Sequence, residues 1–141
     1  MYLDGAQALQ QALSLSRRLR DVLVETDSEF EQLPFFTRPI ARRGFKAKAG
    51  QSVQEWSRTT DLLAECLSNM VDSDLTAVTP LRASWPDLGE RLNKLIVYYV
   101  EVPDETARFT KDAGILCQVA ETSAERVASI RSLISSLEGI V

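Results

Sequence analysis

Apolar residues recur at alternating spacings of three and four along most of this 141-residue chain, a pattern that long amphipathic helices satisfy and strands do not. The clearest seam runs Phe109, Ala113, Leu116, Ala120, Ser123, Val127, Ile130, Ile134, Leu137, Val141 without a slip. It predicts a long fourth helix, capped by Asp104 after a break at Pro103 and stopped near Gly139. Ala and Ser line its first half, so a neighbouring helix can approach closely there. Ile140 and Val141 then either pack or mark where a longer chain continues.

Three earlier segments carry the same signal. Asp4 with Gln7 reads as a capping box opening a first helix, whose stripe Leu9, Ala12, Leu13, Leu19, Val22, Leu23, Thr26, Phe30 and Leu33 ends at Pro34. Arg17, Arg18, Asp21, Glu25, Glu29 and Glu31 form its solvated side. Ser52 with Glu55 opens a second helix along Val53, Trp56, Thr60, Leu63, Leu67 and Met70, which either ends just after Met70 at Asp72–Asp74 or carries on through Leu75 and Val78, and is bounded by Pro80. Ser84 opens a third, with Pro86 tolerated in the first turn and Leu88, Leu92, Leu95, Tyr99 and Val102 as its stripe.

The expected fold is all-α: an antiparallel four-helix bundle over residues 1–141, with long first and fourth helices, standing alone or as one domain of a longer protein. The run Leu95–Val100 is dense enough in apolar residues for a buried strand, but no second strand candidate exists to pair with it. On a helix, Ile96, Val97 and Val100 leave the main stripe on different sides, so one packing contact cannot cover them. Either the Pro34–Gly50 segment folds over that flank or a partner covers it; in the second case Ile96, Val97, Tyr98 and Val100 are the candidate partner-binding residues, for another protein or a second copy of the chain.

Composition changes in one place. Between the first two predicted helices, Pro34 to Gly50 holds two prolines, two glycines, three of the five phenylalanines and five cations with no acid. The chain's net charge is −4, so the rest sums to −9, and the molecule is expected to be an acidic body with one basic patch. Three readings fit this Pro/Gly-containing crossover. In the first, Phe35, Phe36, Ile40 and Phe45 plug the bundle end while the arginines pair with the acidic body. In the second, Phe35, Phe36, Arg38, Arg42, Arg43, Phe45, Lys46 and Lys48 form an anionic-lipid contact, each cation near the membrane contributing about 1 kcal/mol. In the third, the same residues hold nucleic-acid phosphates, which the acidic remainder disfavours.

The chain contains no histidine, which removes Ser-His and Cys-His nucleophilic pairs and carboxylate–histidine metal sites. There is also no glycine-rich phosphate loop. Carboxylate pairs such as Asp61 with Glu65 and Asp21 with Glu25 fall off the apolar stripes and read as solvated surface. The expectation is no enzyme, no cofactor and no metal. Cys66 and Cys117 lie in predicted helices without metal or disulfide spacing, and are expected to be buried, reduced thiols. The opening residues are too polar for a secretory signal, and no apolar run spans a bilayer. A cytoplasmic protein, or one peripheral at a membrane, follows. The functional expectation is a non-catalytic protein–protein interaction module, with the membrane contact as alternative and nucleic acid third.

Overall fold

The computed structural model describes residues 5–72 and 78–141. The described residues form an all-α bundle of five helices: α1 (Gly5–Glu31), α2 (Arg38–Ala49), α3 (Val53–Asp72), α4 (Val78–Ala107) and α5 (Ala113–Glu138). The expected count of four is corrected to five, because the basic crossover is itself helical. The Asp4 cap and any extension of the predicted second helix through Leu75 lie outside the described residues.

Two of the predicted stripes are buried almost as written. All six residues of the Val53–Met70 stripe are in the core, as are Leu9, Ala12, Leu13, Leu19, Val22, Leu23, Thr26 and Phe30 on α1. The Ser52 hydroxyl accepts the Glu55 N–H at 3.1 Å, satisfying one of the orphan donors at the α3 start. α1 and α3 run in opposite directions, stitched by Arg20 Nε to Asp61 at 3.0 Å and Gln54 Nε2 to Asp27 at 3.3 Å. On its other side α1 packs against α5, α5 packs against α4, and α2 lies across α4.

Helix α4 is longer than expected at both ends. Pro80 sits in its first turn, where a proline's missing N–H removes no helical bond. Pro86 and Pro103 lie inside it, and the expected break at Pro103 does not occur. Lys48 on α2 pairs with both Glu101 and Glu105, on either side of that proline, bridging the last turns of α4. α5 accordingly starts later, at Ala113. Its N-cap is Asp112, whose carboxylate accepts the N–H groups of Gly114 at 2.9 Å and Ile115 at 3.1 Å. Asp104, the expected cap, is an exposed residue of α4.

The α5 seam is buried only from Ser123 onward, through Val127, Ile130 and Leu137. Its first turns stand beyond the end of α1, so Ala113 and Ala120 are exposed, and Phe109 lies in the α4–α5 turn, 87% exposed. Cys117 is exposed for the same reason, correcting the expectation of two buried thiols. Cys66 is half-buried on α3, and burial pushes its thiol pKa up. Ile140 and Val141 pack against the core.

A polar cluster crosses the apolar core where α1, α4 and α5 meet. The Tyr99 hydroxyl and Thr26 Oγ1 share a hydrogen bond of 2.7 Å, and the Arg126 guanidinium lies over the Tyr99 ring at 5.6 Å. Arg126, with a side chain only 7% exposed, donates to Glu29 at 2.6 Å and Glu25 at 3.2 Å. Burial raises the Tyr99 phenol to about 12. An unfolded tyrosine titrates near 10, so folding favours the protonated phenol. The associated stability is complete below pH 10 and is lost as pH rises towards 12, by on the order of 2 kcal/mol. Urea unfolding followed across this range should show the decline, and Tyr99→Phe should reduce it, with Tyr98, whose phenol burial also raises, supplying the remainder.

Candidate functional site

Helix α2 is where the sequence-predicted residues converge. Its inner side is held by apolar packing: Phe45 is fully buried, edge-on to Phe30 at 6.0 Å and to Tyr98 at 4.6 Å, and Ala49 is buried beside it. The Trp56 indole donates to the Ala49 carbonyl at 3.0 Å, tying the end of α2 to α3. Gly50 then ends the helix in the left-handed region, φ 82°, with its N–H on the Lys46 carbonyl. A side chain there would be strained and would also meet the Lys94 stem at 3.3 Å.

The cations of α2 face largely back onto the acidic body. Arg42 reaches Asp27 at 2.6 Å and Glu31 at 2.5 Å while lying over the Phe30 ring; hydrogen bonding to Asp27 leads the effects that raise its pKa. Lys48 pairs with Glu101 at 2.6 Å and Glu105 at 3.6 Å, and its pKa is raised chiefly by the hydrogen bond to Glu101. Arg38 donates to the Leu33 carbonyl at 2.9 Å and lies 3.6 Å from Glu31. Lys46 approaches Glu55 at 3.8 Å with its side chain mostly exposed. Arg43 is exposed, with no carboxylate within ion-pair distance among the described residues.

The predicted anion-binding set thus divides. Phe45, Arg38, Arg42 and Lys48 clamp α2 in place, whereas Arg43 and Lys46 remain on the outside with Phe35, Phe36 and Ile40. These three apolar side chains are 83%, 75% and 66% exposed. Phe45 fills the plugging role expected of the whole group, and Phe35, Phe36 and Ile40 do not. Sequence reasoning missed Phe109, placing it on the α5 seam. Arg108 and Lys111 flank it in the α4–α5 turn, and that spacing was the available signal.

No family model, curated protein or solved structure matches this chain.

The predicted partner-binding set divides as well. Ile96 is buried, and Tyr98 is half-buried beneath Phe45, with burial pushing its phenol pKa up. Val97 and Val100 remain 49% and 50% exposed. They share α4's outward line with Asn93, Asp104 and Ala107, all exposed. Such a line can contribute apolar contact area.

Proposed function

We propose that this protein is a non-catalytic helical-bundle interaction module, with the outward line of α4 as its protein-contact face and a second copy as the occupant. The observation that carries the reading is the half-exposure of Val97 and Val100 on a helix whose other sides are already taken by α5 and α2. Two α4 helices laid antiparallel about a two-fold axis would set Val97 of each against Val100 of the other. The same register would set Asn93 of each opposite Asp104 of the other, a self-complementary arrangement. The contact is small, so association is weak and depends on concentration.

Sedimentation velocity over a dilution series tests this. The wild type should move from the 15.7 kDa monomer towards a dimer as concentration rises. Val97→Asp/Val100→Asp should remain monomeric, and Arg43→Glu/Lys46→Glu should behave as wild type. A wild type that stays monomeric throughout would overturn the reading.

A further inference from the structure

We propose that the pole of the bundle formed by the α1–α2 corner and the α4–α5 turn docks on an anionic phospholipid surface. The two tips belong to one end of the molecule. α2 reaches from the last turn of α1, through Arg42 with Glu31, to the last turns of α4, through Lys48 with Glu105. Glu105 in turn lies 3.6 Å from Arg108, beside Phe109.

Each tip projects aromatic rings beside cations, the second with Asp104, Glu105 and Asp112 close by in the sequence. At the first, Phe35, Phe36 and Ile40 project beside Arg43 and Lys46, and no acid occurs between Gln32 and Gln54. At the second, Phe109 projects between Arg108 and Lys111. Aromatic rings that enter the acyl boundary, next to cations that meet headgroup phosphates, are the elements of an interfacial contact. Asp27, Glu31, Glu101 and Glu105 neutralise Arg42 and Lys48 on the inner side of α2, which leaves Arg43 and the mostly exposed Lys46 as the cations that can meet an anionic sheet beside the rings.

Shape selects a membrane over a protein partner. These side chains stand proud of the surface at two separate points, and a protein would need two matched cavities to receive them. A lipid interface accepts protruding rings without a preformed complement. The clamp on the inner side of α2 supports the same conclusion, because a helix held by Phe45, Arg42 and Lys48 keeps its outer side fixed relative to the body and loses little freedom on docking.

The test is co-sedimentation with vesicles of phosphatidylcholine alone and of phosphatidylcholine with phosphatidylserine. The wild type should pellet with the anionic vesicles and progressively less as salt is added. Phe35→Ser/Phe36→Ser/Ile40→Ser should weaken binding about tenfold or more. Arg43→Glu/Lys46→Glu should abolish the preference for anionic lipid, and Phe109→Ser should weaken binding by a smaller factor. All these positions are exposed, so unchanged helical circular dichroism is expected and serves as the control. Val97→Asp/Val100→Asp, which tests the α4 face, should bind vesicles as wild type does. No pelleting of the wild type with anionic vesicles, or pelleting that the serine substitutions leave unchanged, would overturn the proposal.

Discussion

Phe45→Ala is expected to lower the unfolding free energy by about 3–5 kcal/mol. The ring is fully buried and is the joint at which α2 meets both α1 and α4, through Phe30 and Tyr98. Little else can refill the volume. The other inward contacts of α2 are small side chains, Ala41 and Ala49, the Trp56 indole bond to the Ala49 carbonyl, and Arg42 and Lys48 ion pairs with partly exposed carboxylates, the last contributing at most about 1 kcal/mol each. Urea unfolding would measure the loss. Because α2 is short and held mainly at this joint, the variant should also release α2 before the rest of the bundle, broadening the transition. By contrast, Phe35→Ala or Phe36→Ala should change stability by less than about 0.5 kcal/mol, since neither ring is packed.

The second large effect lies in the core cluster and should be strongly asymmetric. Removing both acids, Glu25→Ala/Glu29→Ala, is expected to destabilise the protein by about 3 kcal/mol, while Arg126→Met should change stability by about 1 kcal/mol or less. The difference follows from exposure. Arg126 is buried, so without its partners a positive charge is left in the interior; the glutamates are half-exposed and remain hydrated without the arginine. Methionine also keeps an apolar stem against the Tyr99 ring. Thermal or urea unfolding of the two variants checks the order, and equal losses would mean that the guanidinium reaches water.

The helical stripes were legible because burial follows period. On α1 and α3, nearly every residue assigned to the stripe is in the core. The punctuation was harder to read. Pro39 and Gly44 argued for an irregular crossover, yet Pro39 occupies the first turn of α2, where its missing N–H is harmless. Gly44 lies mid-helix at a cost of about 1 kcal/mol relative to alanine, which the packing of Phe45 outweighs. The spacing of Ala41, Phe45 and Ala49 was the helical signal beneath that composition.

Pro103 misled in the opposite sense. A proline predicts a helix stop, but its local penalty can be offset by neighbours, and Lys48 of α2 pairs with carboxylates on both sides of it. Moving the turn to residues 108–112 shifted the start of α5, and with it Phe109 from the seam to the tip. The candidate surfaces were legible as sets, in Phe35 to Lys48 and Ile96 to Val100. Their division into clamping and outward residues was not, because it depends on which side of α2 meets α4, a pairing that periodicity does not specify.

Hydrogen exchange on the intact wild-type protein tests the central claim most directly, since every surface described above depends on α2 being a helix clamped by its inner side. The amides of Ala41 to Ala49 should be protected to within about tenfold of those in the middle of α3. Exchange at unprotected rates across that segment, with α1 and α3 still protected, would contradict the account and leave Phe35, Phe36 and Ile40 on a loose connection with no fixed surface to present.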